Sequence, residues 1–231
     1  MARAALVTGG SSGIGLAIAR MLRDEGFELT LVSRRPERVE AAAAEVGAVA
    51  VAANVADAEE CERIVAEHRD RFGRLDVLVN SAGIGIGGRV EDLAPRHLDL
   101  QLGVNLRGLF LVTQAAIPLL RDSRGWIVNL ASIAGTVPTP ELATYGATKA
   151  AVIALTRSLN EELDADGVRA IALSPGFVDT PMARWSGIEP AEMIQPEDCA
   201  EVVRMCLRLS PTARIPQVVI ERMGSRNADV H

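Results

Sequence analysis

Tyr145 and Lys149 stand four residues apart in the run Tyr-Gly-Ala-Thr-Lys. On a helix that spacing stacks the two side chains one turn apart on a single face. A free phenol, with a reference pKa near 10, is a poor proton donor or acceptor at neutral pH. A neighbouring ammonium favours the phenolate. At about 5 Å and an effective dielectric of about 20 the attraction is roughly 3 kcal/mol, or about two pKa units. The pair is therefore a candidate acid-base couple. The same spacing also arises wherever a core-facing ring sits beside a solvated charge, so its weight depends on the elements around it.

Those elements alternate between short apolar runs and helical patterns. Residues 3–8 read as a buried strand that ends in Gly9-Gly10-Ser11-Ser12-Gly13-Ile14-Gly15. Ile14, Ala17, Ile18, Met21 and Leu22 then repeat at helical spacing up to Gly26. Strand, glycine loop and helix together are the setting in which a dinucleotide's pyrophosphate is held: glycines let the backbone approach, and the helix N-terminus offers free N–H groups. A second strand, 28–33, is followed by Arg34-Arg35, where an acidic residue would grip a ribose 2′-hydroxyl; arginines suit a 2′-phosphate instead. Two solvated surface arginines would give the same pattern.

Further strands are expected at 48–53, 76–80, 126–131, 168–174 and 217–221, and helices at 36–46, 57–72, 96–121, 142–165 and 196–209. Asp57 is a plausible helix cap and Gly73 a terminator. His68 reads as an exposed residue among charged neighbours, and His97 as a surface or capping residue. The pattern predicts a doubly wound, Rossmann-type α/β fold: a mainly parallel seven-stranded sheet with helices on both faces, in one domain over residues 1–231. Residues 177–195 read as an irregular lid and 224–231 as a mobile tail. The unusual motifs all fall at the carboxyl ends of strands, where such sheets bind ligands: the glycine loop, Arg34, Asn54-Val55, Asn80 to Gly83, Ser132 and Pro175-Gly176.

Composition narrows the alternatives. A net charge of -6 and 3% aromatic residues argue against a nucleic-acid binder. Cys61, Cys199 and Cys206 show neither disulfide nor zinc spacing, so they are expected to be small buried hydrophobes and no metal is expected. The opening residues run straight into a strand, and no run of about 18 apolar residues is read, so neither a secretory signal nor a membrane span is expected. A cytoplasmic protein fits these features.

Taken together, Thr8-Gly-Gly-Ser-Ser-Gly-Ile-Gly15, Asn80-Ser-Ala-Gly83, Asn105, Ser132, Tyr145-x-x-x-Lys149 and Pro175-Gly176 with Thr180 resemble the short-chain dehydrogenase/reductase family over essentially the full chain. The resemblance implies hydride transfer between a nicotinamide cofactor, with NADP favoured over NAD, and a carbonyl or secondary alcohol. It makes Tyr145 the general acid or base and Lys149 its partner and a ligand of the nicotinamide ribose. Ser132 would bond the substrate oxygen, and Asn105 would hold a water in a proton relay. The implied cofactor-binding set is Gly9, Ser11, Ser12, Gly13, Ile14, Gly15, Arg34, Arg35, Asn54, Val55, Asn80, Ala82, Gly83, Tyr145, Lys149, Pro175, Gly176, Val178 and Thr180. Leu142, Phe177, Met182 and Trp185 would flank a partly apolar substrate.

Two residues depart from the family pattern: Ser81 replaces an asparagine, and Asn54 an aspartate. The amide oxygen of Asn54 still accepts a hydrogen bond, without the charge. Singly, Ser132, Asn105 and Thr180 also fit ordinary structural roles. The resemblance further implies a homotetramer or homodimer built on helices 96–121 and 142–165. A cofactor-sensing or scaffold protein without turnover is the other reading of this fold, and a nucleotide-sugar epimerase would need an added substrate domain.

Overall fold

The computed structural model describes residues 2–224. Its centre is a seven-stranded sheet in the order β3-β2-β1-β4-β5-β6-β7, every neighbouring pair parallel. The strands are β1 (Ala4–Thr8), β2 (Glu28–Ser33), β3 (Val49–Ala52), β4 (Val77–Asn80), β5 (Trp126–Leu130), β6 (Arg169–Pro175) and β7 (Gln217–Ile220). Central strands such as Ala-Ala-Leu-Val-Thr are buried end to end, as expected where helices cover both faces.

Alternate strand residues feed two cores. Ala5, Val7, Val77, Val79 and Val128 pack under α1 (Gly13–Asp24), α2 (Pro36–Val46) and α7 (Pro196–Leu207). Leu6, Leu78 and Ile127 face α3 (Ala58–Phe72), α5 (Leu109–Ser123) and α6 (Ala143–Glu162) on the other side. Helix ends follow local chemistry. Asp57 accepts from Glu59 N at 3.0 Å, and Gly73 closes α3 with φ of 64°. The three cysteines are free and buried.

Three expectations change. The helix expected over 96–121 is interrupted: α4 (Pro95–Gln101) passes through a π-helical turn, Leu102–Gly108, before α5. Gly108 sits so close to the Val55 carbonyl that any side chain would collide, and Asn105 points inward from the widened turn. Such turns admit one extra residue and re-aim a side chain. Secondly, the stretch Pro95–Ser123 contains an 18-residue window of mean hydropathy 1.3 and by length and composition alone could cross a membrane. Its residues Val112, Ala116 and Leu120 are buried in the α3/α5 core, and a helix covering a parallel sheet passes the same test.

Thirdly, His68 is fully buried rather than exposed. Cys61, Ile64, Val65 and His68 form the inner stripe of α3, a spacing the charged neighbours disguise. The ring lies 3.0 Å from the Arg74 carbonyl, which only accepts, so Nε2 carries the proton and Nδ1 accepts from Thr30 Oγ1 at 2.8 Å. Burial pushes His68 down from 6.5 to about 4. The folded value lies below the unfolded one, so its contribution is complete above pH 6.5 and is lost as pH falls toward 4. The expected loss is roughly 3 kcal/mol. Urea unfolding at both pH limits checks this, and His68→Gln is expected to flatten the difference.

Candidate active site

β1 leads to β2 and β3 on one side of the sheet, while β4 begins the run to β7 on the other. The crevice beyond β1 and β4 is therefore the topological switch point, where open α/β sheets bind ligands. The loop after β1 fits it tightly. A Cβ at Gly9, whose φ is +66°, would lie 2.7 Å from Ala82 N, and one at Gly15 would lie 2.5 Å from the Gly9 carbonyl oxygen. Ser12 at the N-cap of α1 makes no side-chain capping bond, and the first turn holds no acid. Those N–H groups remain available to an anion.

A cleft of about 330 Å³ extends from this loop past Arg34, Arg35 and Arg38 to Val55, Ala82 and Gly83. Gly9, Ser11, Ser12, Gly13, Ile14, Arg34, Arg35, Val55, Ala82, Gly83 and Thr180 all line it. Gly15 lies behind the loop as a packing contact. Asn54 is exposed and does not line the cleft; its Oδ1 accepts from Ala56 N at 3.2 Å. Asn80 lies beneath, donating to Thr113 Oγ1 and Asn129 Oδ1 at 2.9 Å each, so its side chain braces the strand ends. Ser33 and Arg38 also line the cleft and were not singled out from sequence; Ser81, noted there only as a departure from the family pattern, lines it too. Arg38 follows Arg35 by one helical turn, which is the signal that would have found it. Ser33 Oγ is buried without a partner.

Beside this cleft lie Ser132, Tyr145 and Lys149. Ser132 follows β5 and caps a short 3₁₀ turn, Ile133–Gly135, accepting from Ala134 N at 3.2 Å. That turn packs backbone to backbone on α6: a Cβ at Gly135 would lie 2.7 Å from Ala150 N, and one at Gly146 would lie 2.6 Å from the Ala134 carbonyl oxygen. Two glycines thus draw Ser132 up to Tyr145. Lys149 is buried, with Nζ 2.6 Å from the Leu130 carbonyl and 5.6 Å from the centre of the Tyr145 ring. Asn105 accepts from Ile84 N at 2.8 Å and donates to Ile84 O at 2.9 Å and to Thr148 Oγ1 at 3.1 Å. Its side chain therefore clamps the loop after β4 to α6.

The charges differ from expectation. Burial raises the Tyr145 phenol above its ordinary value, with the Ser132 hydroxyl pulling it partly back. Lys149 is itself pushed down, to about 8, by burial. In the free protein loss of water outweighs the Ser132 hydrogen bond, and the phenol holds its proton at neutral pH.

Above Tyr145 opens a second cavity, about 180 Å³, walled by Leu142, Phe177, Met182 and Trp185 with Ile133 and the Gly83–Gly87 backbone. Pro175, Gly176 and Val178 line its far side. Ile14, Ser81, Gly83, Thr180 and Met182 border both cavities, which makes them one crevice with a polar and an apolar half. The segment overhanging it is pinched at its neck: Ile194 N donates to Phe177 O at 3.0 Å and Asp179 N to Ile194 O at 2.9 Å.

Comparison with known proteins agrees with this arrangement. The family model for short chain dehydrogenases matches residues 3–189. An uncharacterized oxidoreductase of Staphylococcus epidermidis is 37% identical over 221 residues, covering 94% of this chain and 96% of its own. Among solved structures, an alcohol dehydrogenase from the archaeon Thermococcus sibiricus, complexed with 5-hydroxy-NADP, superposes with a TM-score of 0.90 at 32% identity, covering 97% of this chain and 98% of its own. A 3-ketoacyl-(acyl-carrier-protein) reductase from Brucella melitensis, complexed with NADH, gives 0.87 at 31%, covering 95% and 96%. The chain belongs to the short-chain dehydrogenase family, and is an oxidoreductase of Rossmann-type fold.

Proposed function

We propose that this protein is an NADP-preferring reductase or dehydrogenase that interconverts a carbonyl and a secondary alcohol, with Tyr145 moving the proton. The observation carrying this is the single crevice that joins the open N-terminus of α1 to the protonated Tyr145 phenol. When bound there, a nicotinamide dinucleotide supplies or accepts the hydride.

The residues fit such a group. The glycine loop offers an approach that a side chain at Gly9 or Gly13 would obstruct. Arg34, Arg35 and Arg38 bring guanidinium donors to the ribose end, and the unpartnered Ser33 hydroxyl lies among them. In reduction Tyr145 gives its proton to the carbonyl oxygen while Ser132 donates a hydrogen bond to the same atom. Ser132 is suited to this: Ala134 N takes one of its lone pairs, leaving its O–H free to turn. Lys149 stabilises the phenolate as it forms, and Asn105 holds the loop that frames both groups. The test is loss of NADPH absorbance with a panel of ketones.

Arg34→Ala is expected to weaken NADPH binding by roughly tenfold or more and to leave NADH within about twofold, because a charge-assisted bond is worth about 1.5–3 kcal/mol. Titration of both dinucleotides checks it; an unchanged ratio removes the case for phosphate recognition.

Assembly belongs to the same reading. Leu98, Leu100, Leu102 and Phe110 are exposed along α4 to α5, beside a small-residue face of α6 formed by Ala143, Ala147, Ala150 and Ala154. Two such faces pack closely in a homodimer or homotetramer. Phe110→Glu is expected to shift the protein to a smaller species in sedimentation analysis.

A further inference from the structure

We infer that the substrate is an uncharged planar aryl ketone, or the matching benzylic alcohol, whose ring slots between the Gly83–Gly87 backbone and the Phe177–Trp185 pair. This rests on the reading of Tyr145 as proton donor, and adds the substrate class.

The first wall of the slot is peptide. Gly83, Gly85 and Gly87 bring no side chain into the cavity, so the chain runs flat past the phenol. A Cβ at Gly85 would lie 3.7 Å from Tyr145 Cε2 and 3.8 Å from Met182 Sδ. The wall is also held stiff. Asn105 bonds both backbone groups of Ile84, Gln101 Oε1 accepts from Ile86 N at 3.2 Å, and the Glu141 carbonyl accepts from Gly88 N at 2.8 Å. Glu141 does so from φ of +61°, a region few side-chain-bearing residues adopt; such strain persists where surrounding structure dictates it.

Another part of the lining is aromatic. Phe177 and Trp185 meet edge to face, centroids 6.0 Å apart at 72°, with Met182 beside them. Aromatic edges and a thioether are favourable partners for a third ring. Trp185 is 64% exposed, so its ring surface is open to a ligand entering the cavity that it lines.

Charge and size complete the case. Among the described residues lining this cavity Lys149 alone carries a charge, and its ammonium is already bonded to the Leu130 carbonyl. A carboxylate or phosphate on the substrate would lose its water and meet no counter-ion of its own. The cavity, about 180 Å³, is shared with the nicotinamide, since Ile14, Pro175, Gly176, Val178 and Thr180 also line it, which leaves room for a small substrate only. One ring with a short side chain fits; a carrier-bound acyl chain has no anchoring cation at the wall. In the reaction the ketone carbon gains hydride from the reduced dinucleotide and the oxygen gains the Tyr145 proton. The alcohol then leaves, and water returns a proton to the Tyr145 phenolate.

The experiment compares kcat/KM for acetophenone, 4-acetylbenzoate, butan-2-one and an acetoacetyl thioester with NADPH. Acetophenone is expected to exceed each of the others by about tenfold or more. Benzamide, an uncharged aryl amide that is not reduced, is expected to quench Trp185 emission, benzoate to have no effect, and Trp185→Phe to abolish the response. Gly85→Val should lower the acetophenone-to-butanone ratio by about tenfold, since the branched side chain fills the slot. Equal or better use of 4-acetylbenzoate or the thioester, or an unchanged ratio in Gly85→Val, overturns the aryl slot. If those substrates turn over and Tyr145→Phe stops them, the reductase reading survives without the slot. Absence of turnover with every ketone overturns both.

Discussion

Replacing Tyr145 by phenylalanine is expected to lower kcat for carbonyl reduction by about 10²–10⁴-fold, the range spanned by a positioned general acid. The ring and its packing remain, because only the hydroxyl is removed. NADPH affinity is therefore expected to stay within about twofold of the parent protein. Retention of binding separates a lost proton donor from a damaged fold. The effect should appear in kcat and kcat/KM together, as for an interaction made in the transition state. Wild-type turnover by the variant would show that another group delivers the proton.

Lys149 has the next largest effect, and it carries a pH signature. At the 5.6 Å separating Nζ from the centre of the Tyr145 ring, an effective dielectric of about 20 gives roughly 3 kcal/mol of attraction for a phenolate. Lys149→Ala is thus expected to cost on the order of 100-fold in kcat. In the parent protein Lys149 titrates at about 8 because it is buried. Below that value it is an ammonium and supports the forming phenolate; above it the charge is gone. Reductive kcat/KM is expected to be flat at neutral pH and to fall as pH rises through about 8. Alcohol oxidation begins with Tyr145 deprotonated, and the raised phenol places that demand at higher pH. Lys149→Arg keeps its charge beyond pH 12, so any activity it retains should lack the limb near 8. A reductive profile flat to pH 10 in the parent would separate Lys149 from the proton transfer.

Much of this arrangement was legible along the chain, for a physical reason. A buried parallel strand, a capped amphipathic helix and a glycine loop are each specified by residues within a few positions of one another. Strand-loop-helix alternation therefore yields the sheet, and parallel pairing then sends every strand's carboxyl end to one edge. The Tyr145–Lys149 spacing is of the same local kind. So is the inner stripe of α3, although charged neighbours masked His68 as a member of it.

What lies across gaps in sequence was decided by packing alone. The π-helical turn exists because Gly108 meets Val55 and Asn105 must reach Ile84, partners more than twenty residues away. Asn80 and Asn54 look like ligand residues from their strand-end positions, but the Nδ2 of the first is taken by Thr113 and Asn129, its Oδ1 being left without a partner, and the second turns back on Ala56. The sign of the Tyr145 shift was likewise settled by enclosure: proximity to an ammonium is readable from spacing, while the loss of water that raises the phenol depends on what closes overhead. Sequence by itself determined the fold, the family and the stacking of Tyr145 and Lys149 on one helix face. Only the tertiary structure decided the protonation of that pair and the shape of the slot above it, because both depend on which distant segments exclude water from the same few ångströms.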